Sequence, residues 1–510
     1  MQNTSNSTDE KQGLLSRNGV GSNSFGYESL NCGVDEDEDC ASSVGSIVTK
    51  KYWYRWYICF IFSLFGLLQG AVWNTWSPID KSAECAIGFT QSNIDLLTNW
   101  GPITFLISMP FFMWLLDKYG LRLPIVLSAF FTALGTGLRS LPIPVNILKY
   151  FIHVGQMLNG IAGCAVMAAP PLLSNVWFPP EERVTATSIT TLLNYMGTGV
   201  AYIIGPLMVQ QPNHTGNASD LHGVYLASGC NSTSEEHAIR KEIMNLMYLE
   251  FGLSLLTFVC MLIFFPNKPP MPPSASASVG RMDFLEGVKA LRYHRTFLVV
   301  ALTFALTLGG YGGWTGVLSV IMSELPVPVS QDEAGRIGFF MTLAGCFFGL
   351  LVGWFADRFK GHIKVMIVVL FSIAFLGYLY YINMSQRWIK IKGFELSNVG
   401  LWIDCIIIGI AMNAAVPLGM EMGADAAYPT SEAISASVIV WFFNLLSFTL
   451  LLVMQFTDAK LTNYLMLVFI GVSIPLLIFF SKEPRNRMQI DMSTSVDTTD
   501  KDGGRYWTLM

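Results

Sequence analysis

Four ionisable side chains interrupt long apolar stretches of this 510-residue chain: His153, Glu250, Asp404 and Glu421. In apolar surroundings each is a candidate for proton uptake, because burial decides how well its charged form is tolerated. An imidazole titrating near roughly 6.5 would also switch between an acidic lumen and a neutral cytosol. Glu421, His153 and Glu250 are therefore the candidate proton-coupling residues. For Glu250 and Asp404 the alternative is an interfacial position in reach of water. Around these groups lie neutral hydrogen-bonding and aromatic residues: Gln69, Trp73 and Asn74; Gln156 and Asn159; Tyr311 and Trp314; and Asn413. Such groups recognise a small solute without reacting with it. No nucleophile, base or metal set converges with them, since the chain has no H-x-x-x-H, no cysteine cluster and no C-x-x-C pair. The chemistry is binding and proton exchange, not that of an enzyme, and it calls for no metal or other cofactor.

The elements carrying these residues belong in a membrane. The chain is 52% hydrophobic and only 13% charged, with a mean hydropathy of +0.46. The charged fraction is about half that of ordinary soluble domains. Apolar runs of roughly 20 residues recur and predict spans. Twelve are expected, near 52–77, 93–116, 123–141, 147–174, 186–209, 243–265, 296–321, 335–356, 363–382, 399–423, 434–456 and 462–480. The expected division is a polar tail over 1–51, a bundle over 52–265, a linker over 266–295, a second bundle over 296–481 and a tail over 482–510. A net charge of −5 argues against a nucleic-acid partner. Lys and Arg favour the ends that place both termini in the cytosol. Three sequons, at Asn213, Asn217 and Asn231, fall in the longest opposite loop, the side on which glycans are attached. Cys85 and Cys230 also fall on that oxidising side, either as a bridge or as unrelated cysteines.

Two charged hinges mark an internal repeat. FMWLLDKYGLR (112–122) closes the second span with Asp117 and Arg122, and VGWFADRFKG (352–361) closes the eighth with Asp357 and Arg358. WFPPEERVTATS after the fourth span matches AYPTSEAISAS after the tenth, pairing Pro179 with Pro429 and Glu182 with Glu432. Both correspondences are six spans apart. This is similar to the parallel duplication of major facilitator transporters, an all-α fold of two pseudo-symmetric six-helix bundles. The hinge resembles that superfamily's G-x-x-x-D-R-x-x-G signature. The second copy matches with Gly353, Asp357, Arg358 and Gly361; the first has Met113 and Lys118 at two of these places. The resemblance implies that the aspartates cap helices or bridge basic groups across the cytosolic face and gate access. A solvated turn is the alternative.

In that superfamily spans one, four, seven and ten line the cavity, and the neutral polar residues above lie on these spans. Gln69, Trp73 and Trp76 share a face of span one, and Asn413, Pro417 and Glu421 form a stripe on span ten. Asn and Gln inside bundles also bond neighbouring helices, and tryptophans near span ends serve as interfacial anchors. The glycines of LGGYGGWTG (308–316) allow either bending or close packing.

QGAVWNTWSPI (69–79), NWGPITF (99–105), GTGLRS (135–140) and IHVGQMLNGIAG (152–163) resemble solute carrier family 49, a major facilitator branch. The resemblance implies a multi-pass lysosomal protein that exports a small organic solute such as pyridoxine (vitamin B6) with protons. Choline or another organic cation, heme, or a transporter-like nutrient sensor are the alternatives. EKQGLL in the N-terminal tail, with Glu10, Leu14 and Leu15, fits the acidic dileucine pattern by which clathrin adaptor complexes sort proteins to lysosomes.

Overall fold

The computed structural model describes residues 49–496 apart from 213–231, 327–328, 330, 360, 387–397, 455–456 and 458. Among the described residues the chain is all helix, without strands. The first half holds α1 (Arg55–Trp73), α2 (Gln91–Tyr119), α3 (Arg122–Arg139), α4 (Val145–Ala168), α5 (Arg183–Met208) and α6 (Thr233–Phe264). The second holds α7 (Arg295–Gly316), α8 (Gln331–Arg358), α9 (Ile363–Gln386), α10 (Asn398–Ala427), α11 (Glu432–Met454) and α12 (Ala459–Phe480). Ten of these are long and apolar enough to cross a membrane. The other two, α3 and α5, are long but less apolar. α5 carries Thr185, Thr187, Thr190, Thr191, Asn194 and Thr198, a composition suited to a helix buried between others.

The repeat is visible in the packing. In the first half α1 packs on α5, α2 on α4, and α3 on both α4 and α6. In the second, α7 packs on α11, α8 on α10, and α9 on both α10 and α12. The halves meet where α5 lies along α8 and α2 along α11. α7 is interrupted at Ala305–Gly309 by a wider π turn, a feature common at functional sites.

Both hinges turn at a glycine in the left-handed half of backbone space, Gly120 with φ 75° and Gly361 with φ 78°, where a side chain would be strained. Each turn is pinned by a polar residue just beyond the last span of its half. Asn267 donates to Tyr119 O (3.1 Å) and accepts from Arg122 N (3.1 Å). Arg485 donates to Gly361 O (3.2 Å). The two hinges thus share their mechanics despite Met113 and Lys118.

Candidate functional site

A cavity of about 660 Å³ lies between the halves, within the roughly 300–1,000 Å³ of small-molecule sites. Its first-half wall includes Gln69, Trp73 and Asn74 of α1 and Asn194, Tyr195 and Tyr202 of α5. Its second-half wall includes Tyr311 and Thr315 of α7, Phe339 and Thr342 of α8, Asn413 of α10, and Phe443 and Asn444 of α11. The charged lining residues are Asp80, Lys81 and Arg336. They stand just after α1 and in the first turns of α8, at the end opposite the hinges. The interior is therefore aromatic and neutral-polar, with its charge at the mouth.

α1 is held in place by a buried polar network. Gln69 Nε2 donates to Asn159 O (3.1 Å), and Asn159 Nδ2 donates back to Gln69 O (3.3 Å). Gln156 Nε2 donates to Trp73 O (2.7 Å). Arg139, fully buried, donates to Gln156 Oε1 (3.1 Å) and to Glu250 Oε2 (2.8 Å), and Thr75 Oγ1 donates to Glu250 Oε1 (2.5 Å). Each unpaired polar group here would cost about 1–3 kcal/mol, so the network fixes the register of α1 against α4. The Trp73 indole lies against Gly101 and Gly163, and a Cβ at Gly163 would come 2.8 Å from its ring. Both glycines keep the slot that aims the indole.

Of the residues expected to meet solute, Gln69, Trp73, Asn74, Tyr311 and Asn413 line the cavity, while Gln156, Asn159 and Trp314 do not. Gln156 and Asn159 spend their amides on the backbone of α1. Tyr311, Gly312, Thr315 and Gly316 form the α7 stripe facing the cavity, and Trp314 lies about 130° from its centre at 100° per residue. Its Nε1 donates to Asn463 Oδ1 (2.8 Å) instead. Asn413 Nδ2 donates to the Tyr311 hydroxyl (3.1 Å), joining α10 to α7 within the wall. The candidate proton-coupling residues also stand outside the cavity lining. Glu250 is paired with Arg139, and His153 Nδ1 accepts from Trp100 Nε1 (3.1 Å).

Glu421 belongs to the hinge end, where the halves are fastened together. Ser174 Oγ (2.8 Å) and Thr187 Oγ1 from the first half donate to its carboxylate, and Arg487 Nη2 donates from the C-terminal helix Asn486–Val496 (2.8 Å). Burial alone disfavours the Arg487 cation, yet Glu421, Asp425 and Glu432 outweigh it and raise its pKa above the ordinary arginine range. Asp357 of α8 accepts from Val184 N (3.0 Å) and Thr185 N (2.7 Å), capping α5 across the interface. Asp117 of α2 lies against Ser431, just before α11, in the equivalent place. Glu182 pairs with Arg55 (2.8 Å) and Glu432 with Arg281 (2.8 Å), so the matched acids of the repeat are both bound to arginine. Arg122 donates to Leu262 O (3.1 Å), whereas Arg358 is exposed. The cavity is thus closed at the hinge end and approached from the other.

Sequence reasoning missed the α5, α8 and α11 walls. The signal was present in the threonines and asparagines that make α5 unusually polar. Glu10, Leu14, Leu15, Asn213, Asn217, Asn231 and Cys230 lie outside the described residues. Cys85 is disulfide-bonded.

The profile of the Major Facilitator Superfamily matches residues 58–451. A solute carrier family 49 member 4 homolog of Xenopus tropicalis is 38% identical over 461 residues, covering 89% of this chain and 96% of the relative. The human choline/ethanolamine transporter FLVCR2 is 22% identical, covering 76% of this chain and 68% of its own. Among solved structures, the transporter FucP in the outward conformation superposes with a TM-score of 0.64 at 15% identity, covering 84% of this chain and 99% of that one. The human organic anion transporter MFSD10 gives 0.58 at 13% identity, covering 83% and 99%. The chain belongs to solute carrier family 49 of the major facilitator superfamily: it is a multi-pass membrane transporter of small molecules, not an enzyme.

Proposed function

We propose that this transporter exports a small organic solute such as pyridoxine from the lysosomal lumen to the cytosol, coupled to protons, by alternating access. The observation that carries the reading is the interior of the cavity. Trp73, Tyr195 and Tyr311 offer faces for a planar ring, and aromatic pairs contribute about 0.5–1.5 kcal/mol beyond their buried area. Asn74, Asn194 and Asn413 line the same space for ring hydroxyls, whereas the Gln69 amide is committed to Asn159 O and Asn194 Nδ2. No carboxylate stands among them, which suits a neutral ring solute.

Alternating access would use the hinge end as the gate. Asp357 of α8, capping α5, and Asp117 beside Ser431 hold the halves together with the cavity facing the lumen, and the cytosol-facing state breaks both contacts. The sequons favour a lumenal cavity mouth, and the acidic dileucine at Leu14 and Leu15 supports sorting to lysosomes through clathrin adaptors. A second reading, an organic cation such as choline, is favoured by the same rings, which attract cations through their faces. Uptake into sealed vesicles of pyridoxine, choline and heme, with and without a pH gradient, separates these. Pyridoxine flux that follows the gradient supports the proposal. Choline flux indifferent to pH, or no flux of any of the three, refutes it.

A further inference from the structure

We infer that Arg139, acting through Gln156, positions Trp73 for the solute by holding the carbonyl end of α1. The inference rests on the reading of Trp73 as a ring contact and names residues outside the cavity that set the affinity for solute. α1 ends at Trp73, and the carbonyls of its last turn have no partner further along the helix. Asn74 N donates to Ala71 O (3.1 Å), and the Trp73 carbonyl is left to a side chain from another helix. That side chain is Gln156 of α4, whose Nε2 lies 2.7 Å away. Trp73 and Asn74 line the cavity, whereas Arg139, Gln156 and Glu250 do not.

A glutamine amide has a donor end and an acceptor end, and only the donor end suits a carbonyl. Arg139 decides which end faces Trp73. Its Nη1 donates to Gln156 Oε1 (3.1 Å), a bond the amide nitrogen could not accept, so the nitrogen points at Trp73 O. The other arm of the guanidinium, Nη2, donates to Glu250 Oε2 (2.8 Å). Glu250 Oε1 in turn accepts from Thr75 Oγ1 (2.5 Å), two residues beyond Trp73. That hydroxyl has a single proton and also lies 3.1 Å from Val72 O. The charged acceptor takes it, so Thr75 is tied to α6 rather than spent on its own helix. α1 is thus held on both sides of the Trp73 ring, through the residue's carbonyl and through Thr75. One arginine joins the two ties.

The planar fork accounts for an arginine here. Two N–H groups held at a fixed angle reach acceptors on two different helices, which the point charge of a lysine cannot do. Arg139, Gln156 and Glu250 are all buried, so water does not compete for these bonds. Arg139 is also the last residue of α3, where the negative end of the helix favours a cation. One turn before Trp73, the side chains of Gln69 and Asn159 bond each other's backbone and fix α1 against α4. The Arg139 network acts on the final turn, the one that carries the ring. The indole has little room to absorb a shift of that turn, because Gly101 and Gly163 both lie against it.

The test measures pyridoxine and choline counterflow at equal pH in proteoliposomes of the full chain, so that proton coupling plays no part. Gln156→Leu removes the donor to Trp73 O, and Arg139→Lys keeps the charge beside Glu250 while breaking the fork. Each should raise the half-saturating concentration about fivefold, the worth of one hydrogen bond, with the maximal rate little changed. Trp73→Ala should raise it comparably, and adding either substitution to Trp73→Ala should change it by less than about twofold, because all act through one ring. A merely structural role would lower the maximal rate, or weaken binding as much without the ring as with it; either result overturns the assignment. Wild-type half-saturation in both Gln156→Leu and Arg139→Lys overturns it too. If Gln156→Leu fails to fold, Arg139→Lys decides, since it leaves no buried charge unpaired. A Trp73→Ala chain that matches wild type would refute the ring reading, and a wild type that carries neither solute would refute the proposed function; the inference falls with either.

Discussion

Asp357→Asn should release the hinge-end gate. The carboxylate accepts two backbone hydrogen bonds, at 3.0 and 2.7 Å, from the first turn of a helix in the opposite half. Bonds to a charged acceptor contribute about 1.5–3 kcal/mol each, against about 0.5–1.5 for a neutral one. An amide keeps one neutral acceptor and loses the favourable charge at the helix N-terminus, itself about 0.3–1 kcal/mol. The closed state should therefore lose at least about 2 kcal/mol, a shift of roughly 30-fold or more toward the open gate at 1.4 kcal/mol per tenfold. Ser188, fully buried against Gly353 at the same interface, reports the opening. In a background without other reactive cysteines, Ser188→Cys should be alkylated from the hinge side at least roughly 30-fold faster when Asp357 is Asn. Equal rates would refute the gating role of this carboxylate.

The ring contacts can be divided by assay. Trp73→Ala and Tyr311→Ala should each raise the half-saturating solute concentration by about fivefold or more, from the stacking energy alone with some buried area added. Trp314→Phe should leave it unchanged and lower the melting temperature, since it removes the bond to Asn463, about 1 kcal/mol, and shrinks a fully buried ring packed on Tyr378 and Tyr381. Leu14→Ala with Leu15→Ala should move the protein from lysosomes to the cell surface; unchanged lysosomal staining would dismiss the dileucine.

The fold was readable because its repeat is written in residues that the turns and caps cannot do without. Gly120 and Gly361 need positive φ. Asp117 and Asp357 each sit at the start of a helix in the other half, and Glu182 and Glu432 each hold an arginine. The cavity was readable only in part. A helix offers several faces, and residue type does not say which one turns inward. Gln156 and Asn159 have the chemistry of ligand groups, but their partners are the carbonyls of α1. Trp314 was grouped with Tyr311 by proximity in sequence, and the helical phase separates them. The Arg139–Glu250 pair was the hardest to foresee, because it joins residues 111 positions apart across α3 and α6.

The account is tested most directly by measuring solute and proton flux together in proteoliposomes of the wild-type chain. With the compartment facing the cavity mouth acidic, pyridoxine should move out of it against its own gradient and protons should accompany it. Binding without flux would make the protein a sensor, and flux that ignores pH would make it a facilitator. Either result would contradict the account.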